Sequence, residues 1–330
     1  MSSLAPTLQA FFTDRLINQR RSSPFTVAAY RDTFRLLLAF IYQHNGKAPS
    51  ALGMDDLSAP IIGAFLEHLE QRRGNTVRTR NARLAALHSF FRFASFRHPE
   101  HAALIQRVLA IPLKRYDRAL VTFLTRPEID ALVAAPDRST WMGRRDHTLM
   151  LAAVQTGLRV SELAKLDGQD VRLDAGAHVR CHGKGRKERV TPLTPQTVAA
   201  LRVWIQERGG EPADALFPTS GGRRLSTDAI ALLVGKYAAI AQHSCPSLRA
   251  KQISPHVLRH TCAMQLLQAG VDTSVIALWL GHEQIQTTQI YLHADLSLKE
   301  RALARTAPPS VEAPARYRPP DKLLAFLESL

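Results

Sequence analysis

His256, Arg259 and His260 stand at i, i+3 and i+4 in Pro255-His256-Val257-Leu258-Arg259-His260, so one helix face can present all three. Two imidazoles one turn apart suggest zinc, but the glutamate that accompanies such a pair in metalloproteases is missing and a cation shares the face. An anion is the better guest. His260 reads as a packing or supporting residue. Arg159 lies in Thr156-Gly157-Leu158-Arg159-Val160-Ser161-Glu162-Leu163, just after a glycine able to end one helix and just before the Ser-Glu start of another. Lys184 sits in Gly183-Lys184-Gly185, where flanking glycines let the backbone approach a ligand closely. Farther on, Leu280-Gly281-His282 is followed nine residues later by Tyr291. Taken singly, Arg159 reads as a solvated or ion-paired arginine, Lys184 as a basic turn and Tyr291 as a half-buried core residue.

Residues so far apart in the chain need a scaffold to meet. Residues 1 to about 98 read as all-helical. Tyr30, Phe34, Leu37, Leu38 and Ile41 form the stripe of an amphipathic helix that opens at Ser23-Pro24 and stops at Asn45-Gly46. A shorter helix is expected from Ala59 to Gln71, and another from near Asn75, which buries Leu84, Leu87, Phe90, Phe91 and Ala94. Arg78, Arg80 and Arg83 fall at or near the start of this last helix on its other faces and are candidate binders of an anionic partner, mostly through phosphate. From 99 to 118 the apolar periodicity weakens among basic residues, and an interdomain linker is expected there. Thr125-Arg126-Pro127-Glu128 combines a capping box with Pro in the first turn and opens a helix through Ala134. A further helix covers roughly Arg144 to Gln155. Between 170 and 193 the period changes to three short strand-like runs, Val171 to Leu173, Ala177 to Cys181 and Arg189 to Leu193, with the Lys184 hairpin between the last two. Helices resume near Pro195, near Thr227, from Pro255 to Ala269, and from Val271. The expected class is mainly α with a small antiparallel sheet in the C-terminal domain. The tail from 305 to 330 is Pro- and Ala-rich and ends in an apolar decapeptide able to dock on its own domain or on a partner.

The chain has 330 residues, 45% of them hydrophobic and 22% charged, which suits two globular domains and excludes fibrous and disordered classes. Charge is the outlier. Lys and Arg number 43 against 28 Asp and Glu, a net +15, with a pI near 10.4. That balance points to a polyanion such as nucleic acid, and close to half of the excess lies in the first 98 residues. The three cysteines, Cys181, Cys245 and Cys262, are too few and too irregular for a disulfide framework or a thiolate metal site. With no secretory pattern and no apolar run able to span a bilayer, the expectation is a cytoplasmic protein acting on DNA or RNA.

Together, the four chemical pieces resemble the tyrosine recombinase (phage integrase) family, in an Xer-like form. That family's pattern is an arginine in T-G-L-R-x-S-E-L, a hairpin lysine, an H-x-x-R-H helix, an L-G-H segment and a tyrosine about nine residues on. Arg159, Lys184, His256 with Arg259, His282 and Tyr291 occupy those positions in that order. The resemblance covers residues 125 to 300 and extends more loosely to the helical N-terminal domain.

The resemblance implies a two-domain DNA clamp. A core-DNA-binding domain (1–98) would be joined by a linker (99–118) to a catalytic domain (119–304) and a tail (305–330). It also implies reversible transesterification without metal, ATP or other cofactor. Tyr291 would join the 3′-phosphate and release a 5′-hydroxyl, with Lys184 as proton donor to the leaving oxygen. Arg159 and Arg259 would bind the nonbridging oxygens, and His256 and His282 would hydrogen-bond the phosphate. The partners implied are duplex DNA with a specific site and a homotetramer that resolves a Holliday junction, with an accessory recombinase or directionality factor as an option and no membrane. Two other activities stay open at this point: a type IB-like topoisomerase or telomere resolvase, and a non-catalytic DNA-binding regulator.

Overall fold

The computed structural model describes residues 4–116, 121–183 and 188–281, together with Thr288 and Tyr291. The chain divides into two compact units at 118/119.

In the first unit, α1 (Leu4–Ala10) continues into a wider-wound π segment, Phe11–Gln19. Next come α2 (Pro24–Asn45), α3 (Ala59–Gln71), α4 (Val77–Ala94) and α5 (Ala102–Leu109). The predicted helix boundaries rest on caps. Ser23 Oγ accepts from Thr26 N at 3.2 Å, and Gly46 ends α2 at φ 73°, where a Cβ would be strained. Phe11, Phe34 and Phe90 make edge-to-face contacts at 5.2–6.2 Å in a core shared with Leu37, Ile41, Phe65, Leu84 and Phe91. Residues 102–109, within the expected linker, are helical. They form α5, whose Ile105 and Val108 are fully buried in this core.

The second unit is helical around one small sheet. Its helices are α6 (Arg126–Ala134), α7 (Trp141–Thr156), α8 (Val160–Leu163), α9 (Pro195–Arg208), α10 (Thr227–Ala241), α11 (Pro255–Gln268) and α12 (Thr273–Leu280). The sheet is antiparallel in the order β1 (Val171–Arg172), β2 (His178–His182), β3 (Glu188–Pro192), with Cys181 opposite Arg189. The capping box at α6 forms as expected, with Thr125 N donating to Glu128 Oε2 at 2.8 Å. Helix α7 starts three residues before the expected Arg144, capped by Thr140, because Gly143 disguises its first turn. A Cβ there would lie 1.8 Å from the Asp137 carbonyl, so the close approach demands glycine. The main core gathers Leu149, Met150, Leu201, Trp204, Phe217 and Leu258. A second cluster, with Ala263, Met264, Leu267, Ile276, Leu280 and Tyr291, joins α11 to α12. No described helix is long and apolar enough to cross a membrane.

Candidate active site

Two helix ends and one helix face build the site. Gly157 ends α7 at φ +62°, and its carbonyl is turned toward α11. A Cβ at Gly157 would sit 2.7 Å from Leu280 Cδ2 and 3.0 Å from Cys262 Sγ, so glycine supplies both the backbone conformation and the room. Arg259, on α11 and 5% exposed, donates through Nη1 to Gly157 O at 2.7 Å and through Nη2 to Leu280 O at 2.6 Å. Arg159, the N-cap of α8, donates through Nη2 to the next carbonyl, Gly281 O, at 2.9 Å. Successive carbonyls of the α12 end therefore hold the two guanidiniums side by side. Burial and the charge of Arg159 pull the Arg259 guanidinium down to about 10, so it stays protonated at neutral pH.

Glu162 anchors Arg159 from below. It accepts the Arg159 backbone N–H at 2.7 Å and Arg159 Nη1 at 2.8 Å, while Arg189 on β3 meets both of its oxygens at 2.9 and 2.7 Å. Burial acts to raise its carboxyl, but the hydrogen bonds from Arg189 and from the Arg159 backbone outweigh that and leave it at about 2.

Tyr291 is 1% exposed, and its hydroxyl lies 3.0 Å from His260 Nδ1. Burial pushes the phenol up to about 12, against the opposing charges of Arg259 and Arg159. Burial, then the neighbouring His256 and Arg259, drives His260 down to about 4. The i, i+3, i+4 trio thus divides its tasks: Arg259 points to the two helix-end carbonyls, His260 to Tyr291, and His256 is exposed at the first turn. Lys184 and His282 lie outside the described residues. Among the described residues, no group of three or more His, Cys, Asp or Glu side chains is placed to hold a metal ion.

The three arginines of α4 separate. Arg78 is exposed. Arg80 is 6% exposed and donates to Pro112 O at 3.0 Å and Asn81 Oδ1 at 3.1 Å, so its guanidinium is held inside the first unit rather than free on its surface. Arg83 donates to Ala29 O and Thr33 Oγ1, both at 3.0 Å, tying α4 to α2.

Residues 122–297 match the model of the phage integrase family, and residues 10–98 match the phage integrase N-terminal SAM-like domain. The chain belongs to the phage integrase family. It is a tyrosine recombinase, similar along its whole length to the y4rC protein of Sinorhizobium fredii, provisionally named an integrase/recombinase (56% identity, 100% of this chain and 99% of that one). It is 32% identical to the tyrosine recombinase XerD of Pseudomonas aeruginosa over 89% of this chain and 94% of that one. The fold is shared with the XerH site-specific recombinase solved on a palindromic difH substrate (TM-score 0.66, 21% identity, 87% of this chain and 81% of that one). It is also shared with the Tn1549 transposon integrase solved with a circular-intermediate DNA (TM-score 0.68, 16% identity, 91% and 99%). Within this tyrosine recombinase, sequence reasoning did not single out Glu162 as a site residue, although its capping-box spacing from Arg159 signals it. Arg189 carries no signal of its own among the basic residues of the hairpin.

Proposed function

We propose that this site-specific recombinase cuts and rejoins duplex DNA with Tyr291 as nucleophile, Arg159 and Arg259 as binders of the scissile phosphate, and Lys184, His256 and His282 as its proton-handling partners. The observation that carries the reading is the gathering of both guanidiniums on the Leu280 and Gly281 carbonyls, with Tyr291 in the same cluster as Leu280. A phosphodiester repels nucleophiles, and attack adds charge to its nonbridging oxygens. Two planar cationic forks, held in place before the reaction, offset that charge. Each guanidinium gives only two of its five N–H groups to the contacts above, which leaves donors for phosphate.

In the forward step Tyr291 Oη bonds to phosphorus and the P–O5′ bond breaks. The phenolic proton passes to the imidazole of His256 or His282 at the phosphate, and the departing O5′ takes a proton from Lys184. The 3′-phosphotyrosyl ester retains the bond energy, so a second 5′-hydroxyl can reverse the step on another strand. His260, at about 4, is neutral near pH 7 and too weak a base for a phenol at about 12. Its bond to Tyr291 holds the hydroxyl rather than ionising it. The phenol exchanges that bond for the phosphate when DNA binds.

Exchange between two DNA sites calls for four protomers, two per duplex, with the exposed Arg78 on phosphate. The test is a strand-exchange assay with two differently labelled duplexes bearing the mapped site. Recombinant products are expected. Relaxation of supercoiled plasmid on arbitrary sequence, with no exchanged products, would replace the reading with a topoisomerase one.

A further inference from the structure

We propose that Arg189 is a positioning residue for strand cleavage, gripping Glu162 so that this carboxylate in turn fixes the Arg159 guanidinium. The inference rests on the assignment of Arg159 to the scissile phosphate. Arg189 lies on β3, opposite Cys181 of β2, and reaches across to the N-terminus of α8. Its contact with Glu162 is a fork meeting a fork. Nη1 donates to Oε1 at 2.9 Å and Nη2 to Oε2 at 2.7 Å, between side chains only 10% and 4% exposed. Each Glu162 oxygen also accepts one donor from Arg159, Nη1 at Oε1 and the backbone N–H at Oε2. The carboxylate therefore takes four hydrogen bonds, which fill its acceptor directions and leave it one orientation.

The second contact of Arg189 falls on the opposite anchor of Arg159. A Cβ at Gly281 would come within 2.9 Å of Arg189 Nη1 and 3.3 Å of its Cδ, so the arginine packs flat against this glycine. The Gly281 carbonyl is the acceptor for Arg159 Nη2. Arg189 thus touches both groups that fix Arg159, the carboxylate on one side and the helix-end turn on the other.

Charge leads to the same conclusion. A buried Glu162 facing Arg159 alone would neutralise it and compete with phosphate for its N–H groups. With Arg189 the trio carries a net positive charge, and the carboxylate is shared. The competing role, direct phosphate binding by Arg189, fits poorly with Nη groups both engaged on Glu162 and a side chain 10% exposed.

The test uses the full-length chain and compares Arg189→Met with wild type on nicked duplex carrying the mapped site, with thermal melting as the folding control. Affinity is read by gel shift across a salt series, and cleavage by single-turnover formation of the covalent complex. Residues that orient metal ligands cost about 10–100-fold in activity when removed, and a comparable factor is expected for one that orients a phosphate-binding arginine. The expected result is a cleavage rate lower by about that factor with DNA affinity and salt slope unchanged, and a Glu162→Gln/Arg189→Met double variant no slower than the slower single one. Arg189→Lys keeps the charge but loses the fork. It decides the matter if the Met variant does not fold, and its rate is expected to fall with affinity unchanged. A wild-type rate in a folded variant overturns the proposal, as does a loss of affinity with a shallower salt slope, which would assign Arg189 to phosphate. A wild-type enzyme that forms no covalent complex, or a Tyr291→Phe variant that does, would instead sink the reading of Tyr291 and Arg159 on which this inference rests.

Discussion

A guanidinium can hold a backbone carbonyl with one N–H and a phosphate oxygen with another, which is the role proposed for Arg159 and Arg259. An ammonium group carries its donors on one nitrogen and cannot span the helix-end carbonyl and a phosphate with a planar fork. Arg159→Lys and Arg259→Lys are each expected to slow single-turnover cleavage about 10²–10³-fold, as for loss of a preorganised oxyanion donor. An Arg259→Lys rate within a few-fold of wild type would remove this arginine from the chemistry. His260 yields a pH prediction. Its folded pKa of about 4 lies below the ordinary 6.5, so neutral His260 contributes stability that is present above pH 6.5 and is lost as pH falls toward 4. The melting temperature of the wild type should therefore drop across that window, and the drop should be shallower in His260→Phe. Equal slopes for the two proteins would show that His260 is not the group responsible.

At the scale of elements, α5 and the α7 terminus offer the clearest tests. If Ile105 belonged to a linker, truncating it would cost nothing. Because it is fully buried, Ile105→Ala is expected to destabilise the first unit by about 2–4 kcal/mol in urea titration. Gly157→Ala places a methyl group at positive φ against Leu280 and Cys262. It should lower both stability and cleavage, since the displaced turn carries the Arg259 carbonyl. An active, fully stable Gly157→Ala protein would contradict this account of the turn. Elements were legible where their signal was local. Ser23-Pro24, Asn45-Gly46 and Thr125 to Glu128 mark helix ends by cap chemistry, and the alternating runs from 171 to 193 mark strands. Helix α5 escapes the pattern because its eight residues give only about two turns of periodicity, and the α7 start because Gly143, a poor helix former required by the close Asp137 carbonyl, masks the turn that Thr140 caps. The same division runs through the site. Motif order singles out Arg159, Arg259 and Tyr291 as candidates, whereas the burial of Arg80 and the grip of Arg189 on Glu162 depend on neighbours 27 to 32 residues away.

For the whole molecule, a net charge of +15 makes duplex affinity a function of salt. The exposed Arg78 and the buried Arg80, both on α4, should then differ in kind. Arg78→Ala is expected to weaken binding evenly across DNA sequences and reduce the salt slope by about one unit. Arg80→Ala should act through the stability of the first unit. A change in site preference with Arg78→Ala would mean that it reads bases. The central claim is that Tyr291 forms a covalent bond to DNA within the cradle of Arg159 and Arg259. The most direct measurement incubates wild type and Tyr291→Phe with nicked duplex carrying the mapped site, with and without EDTA, and resolves the products on a denaturing gel. A protein–DNA band is expected from the wild type alone, unchanged by EDTA. A band from Tyr291→Phe, or none from a wild type that binds the site, would contradict it.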